Sequence, residues 1–245
     1  MGLGADDVGF AKIDDYQSPA SALVESLLPG ARSLIVLAFR EFSAVDSPSP
    51  QMAMNGRLDV MEYARSVGYR LTRHLEADLH AWALTVPVSY PMDFSDPDKS
   101  GVAELSLRHA AVAAGLGAFG RHNLVVHPRF GTRVIFTAVL TDLELPSDPP
   151  VEANPCTGCG LCVEACPSGA LDEAGKTHLA KCLGTSQPHG ARGSIAFWSR
   201  FGVAGTEERN TMLRSPEYLS LYQAGFIGQQ YFCFRCLAAC PVGRG

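Results

Sequence analysis

The chain predicts an α+β protein: a layered helix-and-strand domain followed by a small cysteine-bearing domain. Three observations carry that expectation. Apolar runs of strand length alternate with helix-period stretches over the first 145 residues. A stretch with Pro146, Pro149, Pro150 and Pro155 then interrupts the pattern. All eight cysteines follow it, at spacings that suit clusters. The expected domains are therefore 1–145 and 146–245.

The elements follow in order. Ser18-Pro19 opens a short helix to Leu28, stopped by Pro29-Gly30. Ala31 to Phe39 is a continuous apolar run between turn signals, which reads as a buried strand. Residues 43–56 are polar and proline-bearing, a connector or a substrate-side loop. From Arg57 to about Ala81, Leu58, Met61, Ala64, Gly68, Leu71, Leu75 and Leu79 recur at helical spacing, so a long amphipathic helix is expected. Trp82 to Val88 is a second strand, and 91–101 a loop. A helix over Val102–Ala114 ends at Gly115-Leu-Gly117, and Val134 to Asp142 is a third strand.

The cysteines carry the chemistry. Cys156, Cys159, Cys162 and Cys166-Pro167 have the bacterial ferredoxin spacing, in which three thiolates hold one 4Fe-4S cluster and the fourth crosses to another. Cys233, Cys236 and Cys240-Pro241 repeat it, with Gln230 where a first cysteine would stand. Cys182, 16 residues after Cys166, fills the vacancy. Cluster one then takes Cys156, Cys159, Cys162 and Cys240; cluster two takes Cys166, Cys182, Cys233 and Cys236. A disulfide frame belongs to short secreted chains with a signal peptide, and Met1–Asp7 has neither its basic region nor its apolar core. Zinc sites use separated Cys-x-x-Cys pairs.

Composition sets outer bounds. Hydrophobic residues are 47% and charged residues 18%, enough to bury a sizeable core. The formal charge is −5 before any cluster is counted, which argues against a nucleic-acid partner. No run approaches the roughly 18 apolar residues of a membrane span, so no membrane association and a reducing, cytoplasmic location are expected.

Arg108–Leu124, Pro128–Val134 and Thr141–Leu145 together resemble the family of epoxyqueuosine reductases and reductive dehalogenases. Lys181-Cys182-Leu-Gly-Thr-Ser resembles the epoxyqueuosine reductase branch, which draws a second-cluster ligand from there. The resemblance implies a nitroreductase-like domain that binds cobalamin, then a ferredoxin-like domain. It also implies reduction of a substrate with electrons from a donor such as a ferredoxin or flavodoxin. Two features depart from the epoxyqueuosine branch. Its Asp-x-x-Pro element, source of a proton donor, is replaced by Gly101-Val-Ala-Glu104, leaving Glu104 or Asp98 as substitutes. No helical repeats follow Cys240 within the 245 residues. A small-molecule substrate is therefore expected. A corrinoid reductase or electron carrier without its own organic substrate, and tRNA modification, are the alternatives.

The dehalogenase branch implies a helix tyrosine working beside a cation, which points to Tyr63, Tyr69 and Arg121 as catalytic residues. Expected cofactor contacts are His122, Asn123 and Arg133. His122 lies in a glycine-bracketed loop that a ligand could approach closely. His109 and His127 read as structural. Gly115, Gly117 and Gly120 match a dinucleotide fingerprint in spacing only, since they close a helix instead of leaving a strand.

Overall fold

A computed structural model describes residues 2–88, 103–172 and 175–244. The chain divides into two compact units. The first comprises Met1–Glu41, Asp59–Cys159 and Pro241–Gly245; the second comprises Phe42–Leu58 and Gly160–Cys240.

The first unit is built on a four-stranded sheet. Its strands are β1 (Asp7–Lys12), β2 (Ser33–Arg40), β3 (Ala83–Val86) and β6 (Val134–Thr141), in the order β1-β2-β6-β3. Every neighbouring pair is antiparallel, with Ile35 opposite Val139 and Val36 opposite Ala138. β4 (Ala118–Phe119) and β5 (Val125–Val126) form a separate two-stranded ribbon. Strand alternation sorts the apolar run of β2 onto both faces. Leu34, Val36 and Ala38 pack with α3 (Leu107–Ala113), whereas Ile35, Leu37 and Phe39 pack with Ala64 and Val67 of α2 (Pro50–Leu79). Both faces being covered is why β2 and β6 read as continuous apolar runs.

The structure departs from the sequence expectations mainly at element ends. β1 has no counterpart among them, because Asp7-Val-Gly-Phe-Ala-Lys12 alternates weakly and carries charge at both ends. The helix expected over 18–28 shrinks to α1 (Val24–Leu27). Ser18 does not cap it; its hydroxyl meets that of Ser21, which accepts from Tyr16. α2 starts at Pro50, seven residues before Arg57, because proline suits a first helical turn and Ser49 O takes the Ala53 N–H. The polar stretch ahead of it holds one 3-10 turn, Ser43–Asp46. α3 begins only at Leu107, where the Ser106 hydroxyl accepts from the His109 N–H. The loop expected at 91–101 lies outside the described residues. In the proline-bearing stretch, Asp148 exchanges hydrogen bonds with both backbone groups of Phe10, and Ser147 Oγ accepts from Lys12 N–H.

The second unit is helical. α4 (Leu161–Glu164) packs on α9 (Arg235–Ala239), and between them in sequence come α5 (Leu179–Ser186), α6 (Ala191–Val203), α7 (Thr206–Met212) and α8 (Pro216–Phe226). Fully buried Phe197 anchors α6 to α8, with Trp198, Phe201 and Tyr218 around its ring. Ser215 caps α8 by accepting from Tyr218 N–H, with Pro216 at its first turn. Among the described residues, no helix is long and apolar enough to cross a membrane.

Candidate iron–sulfur centres

Local chemistry prepares the second-unit cysteines as ligands. Cys162 is buried on α4. Cys166 Sγ accepts from Ala170 N–H at 3.3 Å and lies 3.6 Å from Ser168 Oγ. Burial pushes the Cys166 thiol up, but the Ser168 hydroxyl and the N–H groups of Ala170, Ser168 and Leu171 outweigh it, so its pKa falls below the ordinary value. Donors aimed at sulfur favour the thiolate, the form that binds iron.

Cys236 behaves in the opposite way. Burial pushes its pKa up to about 12, and the charges of Cys233, Cys182, Cys166 and Cys162 add to the rise. Five thiols from α4, α5, α9 and the flanking turns are therefore gathered within electrostatic reach. Such a set opposes its own ionisation until cations are supplied. Among the described residues, no three His, Cys, Asp or Glu side chains converge as they would on a single ion. A tetrahedral zinc would draw its sulfurs to about 3.8 Å of one another, from Zn–S bonds of about 2.3 Å. A cavity of about 360 Å³ opens against Cys233, lined also by Asp46, Thr185, Phe232 and Arg235. The residues present fit a cluster.

Cys156 and Cys159 belong to the first unit. Asn154, a residue the sequence reading passed over, accepts from Cys156 N–H through Oδ1 at 2.9 Å and donates from Nδ2 to Phe119 O at 3.1 Å. An asparagine two residues ahead of a ligand cysteine is a turn signal that could have marked it.

Of the other expected residues, Arg121, His122 and Asn123 share the β4–β5 turn, and the two tyrosines lie on α2. Tyr63, 48% exposed, donates to Gly4 O at 3.3 Å and sits edge-on to Phe39. Tyr69 is 63% exposed. Among the described residues, neither hydroxyl meets Arg121. Arg121 lies in the β4–β5 turn, and its Nε is buried without a hydrogen-bond partner among the described residues. An orphan donor of this kind is suited to a ligand acceptor. Asn123 follows with φ of 57° and gives its carbonyl to Arg108 at 2.6 Å. His122 is buried, its Nδ1 accepting from Leu124 N–H, and desolvation holds its pKa down at about 4. Arg133 is buried as well. His109 meets Ser106 Oγ and the Phe119 ring; His127 meets Asp7 and stacks on Phe130. Glu104 is exposed just before α3, its carbonyl accepting from Ala22 N–H; Asp98 lies outside the described residues.

Sheet unit, thiol set and cysteine spacing define an iron–sulfur protein, and residues 149–172 match the 4Fe-4S binding domain family. The particular likeness is to epoxyqueuosine reductases and, in fold, to reductive dehalogenases. The epoxyqueuosine reductase of Bacillus cereus is 26% identical over 210 residues, covering 74% of this chain and 52% of that protein. The chain thus spans about half the length of the curated relatives it matches. A crystal structure of selenomethionine-labelled epoxyqueuosine reductase superposes with a TM-score of 0.60 at 20% identity, covering all of this chain and 63% of that one. A reductive dehalogenase, described with B12-dependent dehalogenation, gives 0.57 at 19% identity over 73% of this chain and 27% of its own. The mixed helix-and-sheet fold is therefore that of these proteins.

One expectation is overturned. Net charge argued against a nucleic-acid partner, yet an epoxyqueuosine reductase of this fold (TM-score 0.56, 20% identity) is solved with an epoxyqueuosine-modified tRNA stem loop. The argument fails because net charge averages over the chain. From Lys176 to Arg235 there are seven Lys and Arg against three Glu, so the acidity resides elsewhere.

Proposed function

We propose that this chain is an iron–sulfur reductase of the epoxyqueuosine reductase type, passing electrons through two 4Fe-4S clusters to a modified nucleoside in tRNA. The gathering of Cys162, Cys166, Cys182, Cys233 and Cys236 in one helical unit, at ferredoxin spacing, is the observation that carries it. Two one-electron centres supply the pair that a two-electron reduction needs. The cationic stretch 176–235 supports a phosphate-bearing substrate. In it, Arg192 borders an open groove of about 750 Å³ between α5 and α6, lined also by Leu183, Gln187 and Ala196.

Cobalamin is the finer part of this reading. When bound, it would supply low-valent cobalt chemistry that protein side chains lack. Arg121 and Asn123 on the β4–β5 turn would meet it, the buried Arg121 Nε donating to a corrin amide. His122 braces that turn from inside by accepting from Leu124 N–H and stays neutral at working pH, and buried Arg133 is the third residue assigned to the cofactor. Glu104 is the exposed carboxyl available to deliver a proton.

Anaerobic reconstitution with iron and sulfide, then incubation with an epoxyqueuosine-modified stem loop and reductant, tests the proposal. Turnover that requires added cobalamin supports every part of it. Turnover without cobalamin removes the corrin and leaves the reductase. Two reducible clusters with no turnover would sink the substrate assignment.

A further inference from the structure

We infer that Asn154 and the His127–Gly131 turn are positioning residues for cluster one, the first holding the Cys156 loop and the second the tail that follows Cys240, both within the first unit. The inference rests on the two-cluster assignment proposed above. At the leading end, Asn154 holds Cys156 N–H and Phe119 O with one amide. Phe119 is in β4 and pairs with Val125, so the first ligand is tied to the ribbon that carries Arg121. Asn154 is itself exposed and fills no core. Its two hydrogen bonds therefore serve the backbone of the cluster loop.

At the trailing end, Cys240 is followed directly by Pro241–Gly245, which belongs to the first unit. Backbone lies against backbone there. A Cβ on Gly131 would overlap the Val242 carbonyl oxygen, and a Cβ on Gly243 would overlap Phe130. Both glycines have positive φ, 58° and 74°. The turn that receives this tail is stiff. His127 and Gly131 exchange backbone hydrogen bonds at 2.8 Å, and His127 Nδ1 accepts from Arg129 and Phe130 N–H groups. On its other side, His127 Nε2 lies 3.2 Å from Asp7 Oδ2 in β1. Cys156 and Cys240, far apart in sequence, are thus each one or two residues from an anchor on the same unit. Cluster two has no such pair, since all its ligands belong to the second unit.

Outer-shell hydrogen bonds fix ligand geometry and tune iron–sulfur potentials. The test uses the reconstituted full chain, with Cys156→Ser and Cys182→Ser first assigning each EPR signal to its cluster. In Asn154→Ala, cluster one should lose iron to a chelator about tenfold faster and show an altered EPR signal and midpoint potential, with cluster two unchanged. Gly131→Ala should weaken the same cluster from the other end. Wild-type iron loss and spectra in Asn154→Ala would overturn the inference. So would equal weakening of both clusters, which marks general loosening. A wild-type chain that takes up only one cluster would instead defeat the two-cluster assignment itself.

Discussion

Cys166 and Cys236, assigned to the same cluster, are prepared in opposite senses. Amide and hydroxyl donors lower the first, while burial among other thiols raises the second. A bound cluster would reconcile them by favouring both thiolates, so removing one ligand should cost the whole cluster. Cys182→Ala is expected to lower iron from about eight to about four atoms per chain, with one EPR signal lost; full retention of iron would place Cys182 outside the ligand set. His122 makes a separate point. Its pKa of about 4 lies below the ordinary value of 6.5, because burial disfavours the cation. As pH falls below about 6.5 the unfolded chain takes the proton first, so stability is full above that pH and declines toward about 4, by about 3 kcal/mol. In His122→Asn, whose Oδ1 can still accept from Leu124 N–H, the fall in urea midpoint between about pH 7 and 4.5 should shrink. An undiminished fall would assign that acid sensitivity to other groups.

Among the elements, the β4–β5 ribbon leaves no room for a side chain at Gly117. A Cβ on Gly117 would come within 2.5 Å of Val126 O and 2.8 Å of Val125 Cγ1. Gly117→Ala should therefore cost about 1–3 kcal/mol, seen as a lower thermal midpoint, and an unchanged midpoint would mean the ribbon yields freely. Legibility in sequence followed burial. β2, β6 and most of α2 were plain because two apolar faces, or one helical stripe, leave a strong pattern. β1 was hidden because an edge strand needs only half a pattern, and Val8 and Phe10 are only partly buried. Helices α6 to α8 had no expected counterpart, since Gly190, Gly193, Gly202 and Gly205 break the periodicity that Phe197 organises. A 4Fe-4S binding stretch was readable because a cluster dictates cysteine spacing, and residues 149–172 match that family. The Tyr63–Tyr69–Arg121 grouping was not fixed by any spacing, and among the described residues neither tyrosine hydroxyl bonds Arg121.

For the whole molecule, charge is distributed so that its sum misleads. A net −5 coexists with a stretch where cations outnumber anions by seven to three. Arg200 there is tied to Glu217 and Arg209 to the carbonyls of Phe201 and Gly202, so they are already engaged. Arg192 and Arg214 are exposed and without a partner among the described residues. If they touch phosphate, charge reversal at either should weaken stem-loop binding and reduce the slope of log K against log salt by about one. Binding that keeps its wild-type slope in both variants would put the nucleic acid on another surface.

The stretch 145–155 has a consequence for how copies of this chain can meet. By engaging Phe10 and Lys12, Ser147 and Asp148 occupy donors and an acceptor on the outer margin of β1. A foreign strand seeking to extend the sheet there would have to displace them first. The opposite margin is β3, four residues long, with Trp82 and Leu84 exposed at its start. Leu84→Lys on that short strand is therefore where solubility could be gained without disturbing the margin that Ser147 and Asp148 already occupy.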